Sequence, residues 1–163
     1  MENNEGLLDN TTSATPERPE MLKIVCILSY IGIGLMLLFG ILCTFSFALS
    51  QETIDEIWPK IIESNPMLES LEASAFFHTI GIMGLVFILF NLASLAGVMM
   101  MWNLNKKGFF IYLAAELIIN FIPFDMGQEK GAGGYIMNIL IDGIFIALYA
   151  VNLKHMGTSS EGN

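Results

Sequence analysis

Charge is what this 163-residue chain has least of: charged residues make up 14% of it while 54% is hydrophobic, and the mean hydropathy is +0.62. An ordinary soluble domain carries roughly 25% charged residues. Basic residues are scarcer still, seven against 16 acidic ones for a net charge of −9. With no basic face to neutralise phosphates, nucleic acid is excluded as a partner. Cysteine is almost absent too. Cys26 and Cys43 are the two in the chain, and on one helix they would stand about 25 Å apart, too far to bridge. There is no CxxC and no Cys/His cluster, so neither a metal centre nor redox chemistry is expected, and buried thiols are the ordinary reading. A Walker motif, HExxH, a dinucleotide fingerprint and a D-x-[DN]-x-[DN]-G calcium loop are all missing. His78 and His155 have no neighbouring Ser or Cys suited to nucleophilic catalysis. The chain is therefore not expected to be an enzyme or to need a cofactor.

What is present is long apolar runs. Residues 1–20 are polar, with two prolines, and read as a disordered tail. Four runs follow, at about 22–49, 76–102, 108–124 and 132–153, in a membrane domain covering 21–154, and 155–163 is a second polar tail. A transmembrane helix needs roughly 20 apolar residues. The fold class expected is all-α, an integral membrane four-helix bundle in contact with the lipid bilayer. The first run ends on Ala48-Leu49-Ser50, small residues that suit signal peptidase. It is too long, and its preceding tail too acidic, for a signal peptide, so it is expected to stay attached.

The links 103–107 and 125–131 are short, which forces antiparallel neighbours. Of the seven basic residues, Arg18, Lys23, Lys106, Lys107 and Lys154 fall on the side that holds both termini. By the positive-inside rule that side is the cytoplasm. The outer link, 50–75, is acidic, with Glu52, Asp55, Glu56, Glu63, Glu69 and Glu72 against Lys60. Within it Ile54, Ile57, Trp58, Ile61 and Ile62 recur at the spacing of an amphipathic helix. Pro59 is expected to kink that helix or restart it after Trp58. Asn65-Pro66 looks like the cap and first position of a second short helix. The segment is expected at the outer surface, either as a lid or as a surface for a partner.

Along the first span Ser29, Gly32, Gly40 and Cys43 form a stripe of small residues, with Met36 between them, that would let a neighbouring helix approach closely. Gly81, Gly84 and Gly97 could do the same on the second. The polar residues inside the spans are more telling. Taking the flanking links as interfaces, Glu116 lies about 13 Å and Asn91 about 16 Å above the cytoplasmic boundary, and Asp142 about 15 Å below the outer one. All three come near the midplane of a core roughly 30 Å thick. Asn120 and Asn138 suggest a second tier, Tyr112 and Tyr149 a third. Helical steps put Tyr112, Glu116 and Asn120 on one face and Asn138, Asp142 and Tyr149 on another. Turning these stripes toward each other avoids the several kcal/mol that a carboxyl in hydrocarbon costs, and Ser94 could join them.

No Lys or Arg lies inside any span. Two acids brought together there cannot both ionise cheaply, so one holds its proton or a cation sits between them. The first expectation is an accessory or interaction subunit, with Glu116, Asp142 and the Asn amides as hydrogen-bonded glue, each contact contributing about 0.6 kcal/mol. The alternative is a proton- or cation-coupled transporter or channel, because intramembrane acids mark such pathways. One set of four helices has little room for a pore. Transport would therefore imply a homo-oligomer or larger membrane complex.

The stretch MMMWNLNKKGFFIYLAAELI (99–118) passes from a Met/Trp end of one span through a Lys-Lys-Gly-Phe turn into the aromatic start of the next. In this it resembles small uncharacterised four-span bacterial inner-membrane proteins that carry a KKGF-type turn. The resemblance implies a multi-pass protein of the bacterial cytoplasmic membrane and no particular activity. The small multidrug exporters also have four spans, but their acid belongs in the first helix, which here has none.

Overall fold

The computed structural model describes residues 18–122 and 132–157, side chains excepted at 121 and 132–138. Every regular element among the described residues is helical: α1 (Glu20–Thr44), α2 (Gln51–Ser64), α3 (Ala73–Trp102), α4 (Lys107–Phe121) and α5 (Ala132–Asn152), with short 3₁₀ turns at Phe45–Ala48, Pro66–Leu68 and Leu153–His155. α1 with its following turn (Glu20–Ala48), and α3, are each long and apolar enough to cross a membrane. Their surfaces bear this out, since only 28% and 33% of their most apolar stretches are buried within the chain. Ile24, Ile31, Leu35 and Leu42 of α1 and Leu89 of α3 are 58–65% exposed, a pattern that suits lipid and not water.

α1 lies along α3, α3 along α4, and α5 meets both α1 and α4. Glycine sets the closeness of two of these seams. A methyl group added at Gly84 would meet the Gly40 carbonyl oxygen at 2.6 Å and the Thr44 amide at 2.7 Å, so α1 and α3 touch backbone to backbone. Gly97 and Gly108 join α3 to α4 in the same manner, an added methyl at Gly97 lying 2.8 Å from the Gly108 carbonyl. Such approaches are the main packing device where hydrocarbon removes the hydrophobic drive between helices. Gly81 sits under the Phe47 ring. Gly32, expected in the same role, has nothing within 4 Å of its would-be side chain, because the α1 stripe divides: Gly40 faces α3, whereas Ser29 and Gly32 turn toward α5. Cys43 is half-buried, and both cysteines are free.

Arg18, 4.9 Å over the Trp102 ring, and Lys106, whose amide donates to the Gly157 carbonyl, bring the start of α1, the α3–α4 link and the end of α5 to one end of the molecule. The main packed cluster is here, with Leu22, Cys26, Val98, Met101 and Tyr149 fully buried. The α3–α4 link is a tight reversal in which the Leu104 amide bonds the Met101 carbonyl and the Asn105 amide reaches back to Met100. That is the Schellman pattern, normally closed by glycine, yet Leu104 occupies its left-handed position at φ 58°. Its carbonyl accepts from the Gly157 amide, so this turn anchors the segment after α5. Residues 155–157, expected as part of a polar tail, are therefore ordered, with Met156 buried. Residues 1–17 and 158–163, the rest of the two expected tails, lie outside the described residues. The first expected tail also stops short of residue 20, because α1 already begins at Glu20 behind Pro19.

The helix does not restart after Trp58: α2 is one element, Gln51–Ser64, with Pro59 inside it. Asp55 and Pro59 are both exposed, so the carbonyl that proline deprives of a donor belongs to an exposed residue, where the loss costs least. Asn65 makes no side-chain cap, and Pro66 opens only one 3₁₀ turn. The small residues before α2 have a structural use, since the Ser50 hydroxyl accepts from the Thr53 amide as N-cap. α2 lies against the start of α3, with Trp58 5.2 Å from Phe76 and Ile54 buried. α4 ends at Phe121, short of the expected 124. Ile122 is extended at ψ 115°, as the residue before Pro123 must be.

Candidate functional site

Four helices contribute polar side chains to one cavity of about 200 Å³. α1 supplies Ser29, α3 Asn91, α4 Tyr112 and Glu116, and α5 Asp142; Leu28, Ile33, Met36, Ile141 and Phe145 are among its apolar lining. Measured from the ends that share the basic side, Ser29, Glu116, Asp142 and Asn91 stand about 13–17 Å along their helices at 1.5 Å per residue. The shared depth follows from antiparallel helices of fixed rise, and the shared direction from steps of four on α4.

Glu116 and Asp142 line the same cavity without bonding each other; each carboxylate has its own donor. The Ser94 hydroxyl, buried on α3, donates to Glu116 Oε1 at 2.8 Å. The Asn120 amide donates to Asp142 Oδ2 at 2.6 Å and also to the Glu116 backbone carbonyl at 2.9 Å. Asn120, expected one tier further out, thus belongs to the acidic layer. Asn91 lines the cavity but spends its amide on the Phe87 carbonyl one turn back. Asn138 lies on α5 with its side chain outside the described ones. Among the described residues the ion pair present is Lys60 with Glu56 on α2, both exposed and remote from the site. No group of three or more His, Cys, Asp and Glu side chains converges there or elsewhere among them.

On the side of the basic end the cavity has a floor. Tyr149 is fully buried and donates to the Ser29 hydroxyl at 2.7 Å, while its ring meets Tyr112 edge-on at a centroid distance of 5.1 Å. The tyrosine tier is therefore present, but its hydrogen bond runs to a serine that the sequence marks only as a small packing residue. Nothing in the helical spacing distinguishes a serine that packs from one that accepts. Among the lining residues, those that are exposed, Leu28, Gly32, Met36 and Ile141, all belong to α1 and α5, whereas Asn91, Tyr112 and Glu116 from α3 and α4 are buried or half-buried. The cavity consequently opens along the α1/α5 seam.

The arrangement holds two carboxylates, a phenol, a serine and an amide around a partly open space, with no basic group among the described residues that line it. No protein family, no curated protein and no solved structure matches this chain.

Proposed function

We propose that this chain is a four-span integral membrane protein whose central cavity binds a proton or cation as part of coupled transport. The observation that carries the reading is the cavity itself. Side chains that served only as glue between helices would close on one another. Here Glu116 and Asp142 instead flank about 200 Å³ of open space, and half-buried acids facing a cavity inside lipid are the usual mark of an ion or proton route.

Four spans are supported by the exposed apolar surfaces of α1 and α3 and by the 21-residue length of α5. α4, with 15 residues, reaches only about 22 Å, a mismatch that local bilayer thinning takes up at a fraction of a kcal/mol per Å. Five of seven basic residues share the end that carries both described termini, which supports a cytoplasmic placement of that end. The KKGF-type turn supports a bacterial cytoplasmic membrane.

The test is proton flux in vesicles reconstituted with the purified chain and loaded with a pH-sensitive dye. Flux in the wild type that Glu116→Gln with Asp142→Asn abolishes, while the variant still folds, is the expected result. A second reading, an accessory subunit of a larger membrane complex, is favoured by one observation: both carboxylates already have hydrogen-bond donors within the chain. A folded wild type without flux that purifies from native membranes with a fixed partner would establish that reading instead.

A further inference from the structure

The cavity is polar on one flank and apolar on the other, and this narrows what it can hold; the inference rests on the binding role given above and adds the class of ligand. Its opening along the α1/α5 seam is bordered by Leu28 and Met36, 50% and 52% exposed, and by Ile141, 47% exposed. The opposite way in is closed by the Ser29–Tyr149 hydrogen bond and by the fully buried Leu22, Cys26 and Met101 beyond it. A ligand that enters through this opening thus passes apolar side chains that, in a bilayer, face hydrocarbon.

Both flanks bear on identity. A hydrated alkali ion would have to shed its water against leucine, methionine and isoleucine, where no oxygen replaces it. A multivalent metal would find two carboxylates and, among the described residues, no third His, Cys, Asp or Glu beside them. A bare proton leaves unexplained a space of about 200 Å³, worth six or seven waters at roughly 30 Å³ each. An organic cation meets every condition: its charge answers the carboxylates, its body answers the apolar flank, and two aromatic residues, Tyr112 and Phe145, are among the lining, the residue type that attracts cations.

We propose that the cavity binds a lipophilic organic monocation, a protonated amine with a compact apolar body, which enters between α1 and α5 and sets its ammonium group against Glu116 and Asp142.

The experiment uses the full chain in lipid nanodiscs at neutral pH, titrated calorimetrically with benzylammonium, with its neutral counterpart benzyl alcohol and with sodium chloride. Saturable binding of benzylammonium is expected, at least tenfold tighter than benzyl alcohol and unaffected by sodium at equal concentration. Glu116→Gln with Asp142→Asn should weaken it at least tenfold. Gly32→Leu guards against a folding artefact. Position 32 lines the cavity, and a Cβ there has nothing within 4 Å, so leucine at this position adds bulk at the cavity from a site where no helix contact is made, and benzylammonium binding should again fall at least tenfold. Equal affinity for the amine and the alcohol, or full binding in both variants, overturns the inference. Proton flux that depends on Glu116 and Asp142, without benzylammonium binding, also overturns it and leaves the transport reading standing. Absence of both flux and binding removes the two together.

Discussion

The Asn120 amide, 2.6 Å from Asp142 Oδ2, fastens α4 to α5 at the depth of the acidic layer and at the same time closes onto the Glu116 backbone carbonyl. One side chain therefore ties the Asp142 carboxylate to the backbone of the helix that carries Glu116. In membranes such interhelical bonds contribute about 0.6 kcal/mol on average and up to about 1.7. A bond to a carboxylate belongs in the upper part of that range. Asn120→Leu should destabilise the chain by about 1–2 kcal/mol, and the same change made in an Asp142→Leu background should cost close to nothing, because the acceptor is already gone. Unfolding in detergent followed by circular dichroism provides the cycle. Equal costs in the two backgrounds would mean that the bond contributes nothing.

The α1–α3 seam makes a sharper structural prediction. Gly84→Ala places a methyl group against backbone atoms at 2.6 and 2.7 Å, and backbone cannot rotate away as a side chain can. The helices must part, at a cost of about 1–3 kcal/mol, in spite of the better helix propensity of alanine. At Gly32 nothing stands in the way, so Gly32→Ala should stabilise by up to about 1 kcal/mol. Thermal unfolding of the two variants side by side should give opposite signs.

Much of this fold could be read from hydropathy and helical steps. Runs of apolar residues located α1 and α3, and the spacing of Tyr112, Glu116 and Asn120 put them on the face of α4 that turns inward. What escaped the sequence depends on partners far away in it. Ser29 looks like any small residue until Tyr149 arrives opposite it. Gly32 and Gly40 share a stripe on a helical wheel, yet only Gly40 finds a helix to touch, because α5 stands off from α1 at Gly32. Pro59 does not end its helix, since it and Asp55 lie on the exposed side, where a lost backbone bond costs least. Pro123 does set the end of α4, a local effect that a continuous apolar run obscured. The cavity had no signature at all, because a void is set by how helices pack and not by which residues they carry.

Leu104 offers a test in which hydrophobicity and backbone geometry disagree. It holds φ 58° at the glycine position of a Schellman turn while its side chain packs against the buried cluster. Left-handed backbone costs an ordinary residue about 1–2 kcal/mol, asparagine less, and a β-branched residue most. Leu104→Val should therefore destabilise more than Leu104→Asn, by about 1 kcal/mol, although valine is the more apolar replacement. Amide exchange at Gly157, whose N–H donates to the Leu104 carbonyl, should rise in the valine variant first. The opposite order of stabilities would show that side-chain packing, and not the turn, holds this end together.

Tyr149 combines two jobs that substitution can separate. Its hydroxyl donates to Ser29, and its ring, fully buried, supports Tyr112 from the side. Tyr149→Phe keeps the ring and removes the bond, which should cost about 0.6–1.7 kcal/mol. Tyr149→Ala removes both and should cost about 3–5 kcal/mol, the usual range for emptying an aromatic site. The same pair distinguishes a floor from a mere core contact. If the Ser29–Tyr149 bond seals the cavity from the basic end, the Phe variant should let a maleimide reagent applied to that face reach Cys26, which is fully buried in the wild type, at a rate at least tenfold higher. Retention of complete Cys26 protection in Tyr149→Phe, with the stability loss as stated, would assign the seal to the apolar cluster beneath the tyrosines.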